Sequence, residues 1–398
     1  MPPVATRPIV RLHAEPLAPH LVDATMFWNP SGGGGVRRYL LAKRCHLVRG
    51  GAWRHTIVAP GARGDGMVDC GGMPLPMSGG YRLPWRRAAA ARLIAAQRPD
   101  IIEAGDPYLL AWAALDAARA CRVPAALFCH SDLPTLATHA VSRWSGMGAD
   151  ATHSLALGAS QRVGRYFARL CDSFDIVLAP SRVMQRRLIE WGVRHALYQP
   201  LGVDTAVFNP QARDERWRAS LRLPADARLL LYAGRFAPEK NLQQLVAAVE
   251  RLGPRYRLLA LGSGPQPPLG EQVHVLDFEA HPARVARVMA SVDGFVHAGD
   301  QETGGLAVLE AMACGTPVAA RNAGGLSEAL ADGCGIAVNS GRADEWAAAI
   351  EALCTAGAQR QVHAALLKAR RHDWSRVFAL LQRRYARAIA MGAPALAA

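Results

Sequence analysis

Along most of the chain, short apolar runs alternate with longer segments of helical period, and the alternation begins twice. The first run, LVDATMFW over residues 21–28, predicts a buried strand. It leads into NPSGGGGVRRYLLAK, where Gly32 to Gly35 precede a predicted helix starting near Val36. Further strands are predicted at 55–61, 100–105, 125–132 and 175–181, with helices at 85–97 and 108–120 and an irregular helical region over 133–172. Ser181 is placed to cap a helix from Arg182. Residues 197–210 hold two prolines and a glycine without helical period, which predicts an interdomain linker. From Arg228 the pattern restarts. Strands are predicted at 229–236, 257–264, 273–278, 294–299, 317–320 and 335–338, and helices at 241–252, 282–292, 304–313 and near 325–332. Further helices follow to about residue 389, with a break near His372 and Asp373. Alternation at this spacing predicts an α/β protein with two parallel sheets covered by helices.

Length supports the division, because 398 residues exceed one ordinary core. The formal charge of +14 is unevenly placed. Residues 1–204 carry 24 Lys and Arg against 14 Asp and Glu, and residues 205–398 carry 22 against 18. A basic first half suits an acidic partner such as an anionic lipid headgroup or a phosphorylated acceptor, and an arginine-rich coding bias accounts for the excess equally well. No motif points to nucleic acid. A predicted helix at 85–97 carries Arg86, Arg87 and Arg92, with Arg82 and Trp85 ahead of it. That pattern fits either a solvated face or a peripheral contact with an anionic membrane. Eight cysteines without a CxxC pair read as core thiols in a reducing compartment, with no zinc site. No apolar run reaches the roughly 18 residues that span a bilayer. The expected location is cytoplasmic, with peripheral contact at the inner membrane face as the extension.

The candidate chemistry gathers in Asp300–Val318, DQETGGLAVLEAMACGTPV. Glu302 lies in a loop, Gly304 and Gly305 at a helix start, and Glu310 inside that helix. Amides at a helix start favour an anion. Gly304 to Glu310 rises on the order of 9 Å, at about 1.5 Å per residue, roughly the distance from a diphosphate to a ribose. A capped core helix with two solvated glutamates fits the same spacing. In GRFAPEKN, Arg235 ends a strand and Lys240 starts a helix, so both cations can reach one diphosphate. His130 also ends a strand, where ligands gather in parallel sheets, although a structural histidine fits there too. No two aspartates lie two apart, so the metal-binding D-x-D pattern is absent from the sequence.

GRFAPEKN followed by the E-x7-E stretch resembles the retaining glycosyltransferases of family 4, whose two-Rossmann-domain fold is called GT-B. The glycine turn, His130, DIVLAPS, PLGVDTAVFNP and HDWSRVFALLQRRY extend the resemblance over most of the chain. It implies an acceptor-binding domain at 1–200, a donor-binding domain at 201–372, and a helix at 373–398 packing back on the first. By matching positions it implies that Arg235 and Lys240 bind the donor diphosphate beside Glu239, and that Glu302 meets the sugar hydroxyls. Glu310 would hold the ribose, and Gly34 and Gly35 would approach the phosphate from the other domain. His130 would contact the sugar near the reacting centre. Gly262, Ser263 and Gly264 would border the donor, Phe278 the base, and Thr303, Gly304, Gly305 and Leu306 would complete the donor stretch.

The implied activity is transfer of a hexose from a UDP- or GDP-type nucleotide sugar to a lipid-linked or saccharide acceptor. Same-face attack would need no cofactor and no metal. A sugar-phosphate or sucrose-type synthase with a soluble acceptor, and a nucleotide-sugar epimerase of the same architecture, are the alternatives. One departure concerns the sugar: the family commonly has an E-G-F-G pattern, and here the run is Glu302-Thr303-Gly304-Gly305.

Overall fold

The computed structural model describes residues 18–29, 33–75, 80–144, 149–355 and 357–392. Gly32 of the glycine run therefore lies outside the described residues. The first domain contains β1 (His20–Ala24), β2 (Arg54–Ala59), β3 (Met67–Asp69), β4 (Met73–Pro74), β5 (Arg82–Leu83), β6 (Ile101–Ala104), β7 (Ala125–Phe128), β8 (Ile176–Ala179) and β9 (Ala196–Tyr198). All but the small β4–β5 hairpin form one parallel sheet in the order β3-β2-β1-β6-β7-β8-β9. Every residue of β1, β6, β7 and β8 is buried, as expected of strands covered by helices on both faces.

The second domain contains β10 (Arg228–Arg235), β11 (Tyr256–Ser263), β12 (Val273–Leu276), β13 (Gly294–His297), β14 (Val318–Arg321) and β15 (Ile336–Val338). They form a parallel sheet in the order β12-β11-β10-β13-β14-β15. Strand order reverses between β1 and β6 in one sheet and between β10 and β13 in the other. Loops leaving the carboxyl ends at such a reversal form a crevice.

Two segments cross between the domains side by side. Val203 donates its amide to the His372 carbonyl at 2.9 Å, and Trp374 donates to the Val203 carbonyl at 3.0 Å. The expected linker is thus partly ordered structure: it begins inside β9 and pairs with the return crossing at Asp373. Beyond that crossing, the helix Trp374–Met391 buries Phe378, Leu381 and Tyr385 among Leu21, Tyr39 and Phe128 of the first domain. Its stripe is spaced three and four residues apart, which puts all three side chains on one face.

Candidate active site

Arg235 is the last residue of β10, and its carbonyl accepts the Tyr232 hydroxyl at 2.8 Å. The chain then makes a short turn, Pro238–Lys240, and enters the helix Leu242–Leu252. That turn returns Glu239 onto the Arg235 guanidinium as an ion pair. Lys240 points the other way along the cleft and pairs with Glu302, which follows β13. His297, the last residue of β13, places Nε2 3.3 Å from the same Glu302 oxygen. Burial alone would raise the Glu302 carboxyl, but the Lys240 ammonium and the His297 hydrogen bond together outweigh it and hold Glu302 well below the usual carboxylate range. Glu302 is therefore a fixed anion.

The helix Leu306–Ala313 begins at Gly305, whose φ of 72° and ψ of 52° are left-handed. Only glycine takes that conformation at little cost, and it turns the loop from Glu302 directly into the helix axis. One turn along, Glu310 is 5% exposed, a buried carboxylate that requires a partner. The partner comes from the other domain: Arg38 Nη1 lies 2.5 Å from Glu310 Oε1. Arg38 sits in the helix Gly35–Arg49, which follows the glycine turn.

Other contacts close the same cleft. A Cβ at Gly33 would lie 2.4 Å from the Phe278 ring, so only glycine allows that approach. Leu306 packs beside Gly35. Thr303 Oγ1 donates to the His130 carbonyl at 2.9 Å. The Glu328 carboxylate accepts the Arg182 amide at 2.6 Å, at the start of the helix Arg182–Glu190, where Ser181 also caps. The crevice between Asp132, Ser181 and Arg187 on one side and Glu302 and Thr303 on the other holds only about 20 Å³.

His130 follows β7 and stacks on Phe128 with 4.3 Å between ring centroids. Its Nε2 is buried without a hydrogen-bond partner. Burial, then the Lys43 ammonium, lower it to about 3, against the opposing pull of Asp23. The ring is therefore neutral at neutral pH. In the unfolded chain histidine titrates near 6.5, so acid protonates the unfolded state first. Stability is expected to fall as pH drops from 6.5 toward 3, and His130→Gln should flatten part of that slope in urea titrations. An unchanged slope would show that the ring protonates freely in the native state.

Most of the residues singled out in the sequence converge on this cleft. Arg235, Glu239, Lys240, Glu302, Thr303, Gly304, Gly305, Leu306 and Glu310 line its second-domain side. The register pairs Gly234 with Gly262 and Arg235 with Ser263, so Gly262, Ser263 and Gly264 stand at the neighbouring strand end. Gly34, Gly35 and His130 face them from the first domain. In the basic run 82–92, Arg82 lies in β5 and bonds the Gly72 carbonyl, Arg87 makes a bidentate pair with Asp116, and Trp85, Arg86, Arg87 and Arg92 are all exposed. The sequence reading missed His297, Arg38 and Glu328. His297 carried the same signal as His130, a histidine at a strand end. Arg38 and Glu328 had none.

Two family models match the chain: "Glycosyl transferases group 1" over residues 213–365 and "Glycosyltransferase Family 4" over residues 33–207. The sulfoquinovosyl transferase SQD2 of Arabidopsis thaliana is 30% identical over 265 residues, 63% of this chain and 48% of that protein. A GDP-mannose-dependent alpha-mannosyltransferase of Mycolicibacterium smegmatis is 31% identical over 237 residues, 58% of each chain. The alignments thus span about half the length of these relatives. Among solved structures, a sucrose-phosphate synthase from Thermosynechococcus elongatus superimposes with a TM-score of 0.74 at 19% identity, covering 94% of this chain and 100% of that one. The architecture is GT-B.

Proposed function

The chain belongs to glycosyltransferase family 4, and from that premise we propose that it transfers a hexose from a nucleotide-diphosphate sugar with retention of anomeric configuration. The carrying observation is the Lys240–Glu302–His297 cluster beside Arg235 and Glu310, at the strand-order reversal of the second sheet. Arg235 and Lys240 would neutralise the departing nucleoside diphosphate, the point where charge develops. Glu302, held ionised, would accept hydrogen bonds from the sugar hydroxyls, and Glu310 from the ribose. His130, neutral and with Nε2 unpartnered, would donate to or accept from the sugar near the anomeric carbon.

In this scheme the acceptor hydroxyl attacks the anomeric carbon on the face the diphosphate leaves. The carbon–oxygen bond to the phosphate breaks as the new glycosidic bond forms, and the acceptor proton passes to the departing phosphate oxygen. Glu302 already holds Lys240 and His297, so no carboxylate is assigned as nucleophile. No step is assigned to a metal. The Arg38–Glu310, Thr303–His130 and Glu328–Arg182 contacts join the two sides of the cleft, so donor entry that widened it would break them. Among the described residues no helix is long and apolar enough to cross a membrane.

The test is NMR of the product formed from a nucleotide sugar and a saccharide acceptor series. Retention with acceptor-dependent release of nucleoside diphosphate supports the proposal, and inversion, or an epimerised sugar without acceptor, sinks it. Thermal-shift screening should first identify one base that stabilises the fold. Glu310→Gln is then expected to weaken that nucleoside diphosphate by roughly tenfold to a hundredfold, the range for a hydrogen bond to a charged group. Pyrophosphate binding should be unaffected, because it has no ribose. An equal loss for both ligands would remove Glu310 from the ribose.

A further inference from the structure

Beside the glycine turn, within the first domain, lies a cavity of about 430 Å³. It falls in the size range of small-molecule sites, about 300–1,000 Å³. Trp28, Arg37, Arg63, Asp69 and Arg82 line it. Trp28 closes the loop after β1 and is 3% exposed. Arg37 stands in the first turn of the helix Gly35–Arg49, with its guanidinium 5.2 Å from the Trp28 ring centroid. Stacking of that kind fixes the plane of the guanidinium. Arg37 Nε is nevertheless buried without a hydrogen-bond partner. Arg82 is fixed differently, by two bonds from Nε and Nη2 to the Gly72 carbonyl, at 3.1 and 2.8 Å.

Nearby, Arg38 has Glu310, Arg44 has Asp65, and Arg54 has Asp100 as carboxylate partners. Among the described residues, Arg37, Arg63 and Arg82 have none. The cavity's own carboxylate, Asp69, accepts the Gly61 and Gly71 amides at 2.6 and 2.8 Å. It is held by backbone and pairs with no arginine. Three arginines thus line one space whose single carboxylate pairs with none of them. Like charges held together are costly, and the arrangement persists because the helix, the β2–β3 connection and the β4–β5 hairpin place them.

We infer that this cavity is the acceptor subsite and that it takes a phosphoryl group. The inference rests on the transferase reading. A phosphate dianion presents three oxygens, which match several guanidinium forks better than a single carboxylate does. Arg37 is adjacent to Arg38, whose partner Glu310 belongs to the donor side. An anion on Arg37 would therefore hold an acceptor at the edge of the cleft. A soluble sugar or polyol phosphate carries this group, and so does a lipid headgroup that ends in a phosphomonoester.

Calorimetry with glucose 6-phosphate, inositol 3-phosphate and their unphosphorylated parents, alongside flotation on phosphatidylcholine vesicles with and without phosphatidic acid, tests the inference. At least one phosphorylated probe should bind where its parent does not, and inorganic phosphate should compete. Arg63→Ala and Arg37→Ala should each weaken that binding by about tenfold or more, as expected for charged hydrogen bonds. Arg63 is exposed, so its variant should fold even if Arg37→Ala does not. Binding of the soluble phosphates supports a soluble acceptor, and retention only on phosphatidic acid vesicles supports a lipid one. The inference is overturned if no phosphorylated probe binds, if parents bind as well, or if both variants bind as the wild type does. Nucleotide-induced stabilisation measured in the same samples keeps that failure separate from failure of the donor site.

Discussion

Lys240→Ala is expected to lower turnover by roughly 10²–10³-fold while leaving the fold intact, the range found when one stabilising donor is removed from a transition state. Its ammonium is the cation closest to Glu302 and lies five residues past Arg235, on the far side of the Pro238–Lys240 turn. Removal takes away countercharge for the leaving diphosphate. It also frees Glu302 from the partner that most strongly opposes the effect of burial. The Glu302 carboxyl should then rise, so the acid limb of the pH–rate profile should move to higher pH in the variant. Lys240→Arg should restore little, because a planar fork cannot replace a point charge in a turn already occupied by the Arg235–Glu239 pair. Kinetics across pH with the nucleotide sugar found by screening measure both effects. Pyrophosphate binding should weaken as well, unlike in Glu310→Gln. Unchanged turnover in Lys240→Ala would mean that Lys240 serves only to hold Glu302. A Lys240→Ala, Glu302→Gln double-mutant cycle measures that coupling directly.

Legibility in the sequence followed the range of the physical signal. Strands buried on both faces, such as β7 and β8, read as uninterrupted apolar runs. Their ends did not. LVDATMFW leaves the sheet at Ala24, because the Asp106 carboxylate takes the Met26 amide at 2.6 Å and turns the loop toward the cleft. The three-residue strands Met67–Asp69 and Ala196–Tyr198 exist only through pairing with β2 and β8, so no local pattern marks them. Within the site, charged residues at strand ends were legible because topology alone brings those ends together. The contacts that close the cleft were not. Arg38 and Glu310 are 272 positions apart, and Glu328 and Arg182 are 146 apart. No spacing rule connects such pairs, since each depends on how the two domains dock.

Replacing Lys43 is expected to be the most destabilising change in the first domain. Its side chain is fully buried, with Nζ 2.7 Å from Asp23 Oδ1 and 2.8 Å from Glu103 Oε1. His55 Nε2 lies 2.6 Å from the other Asp23 oxygen, and the Tyr385 hydroxyl donates to the other Glu103 oxygen. One cation thus joins β1, β2, β6, the helix after the glycine turn and the helix Trp374–Met391. Lys43→Met would leave Asp23 and Glu103 buried side by side without countercharge, a loss of about 3–5 kcal/mol for a broken buried pair. Burial, the largest influence on Glu103, already lifts its carboxyl to about 8 against the pull of Lys43. A carboxyl raised in the fold binds its proton more tightly there than in the unfolded chain. It therefore stabilises the fold below its unfolded value of 4.5, and that contribution is lost as pH rises toward 8. Across that window folded Glu103 keeps its proton in the wild type and in Lys43→Met alike, so stability should fall with rising pH in both, and Glu103→Gln should flatten the fall. Urea denaturation between pH 5 and pH 8 reads both effects. If Lys43→Met lost less than about 1 kcal/mol, the value of an ordinary hydrogen bond, the network would not be what fixes these two helices to the sheet. The same measurement bears on the cleft, because Lys43 lies on the helix that presents Arg37 and Arg38. A loosened helix should weaken nucleotide stabilisation even though Lys43 touches no ligand.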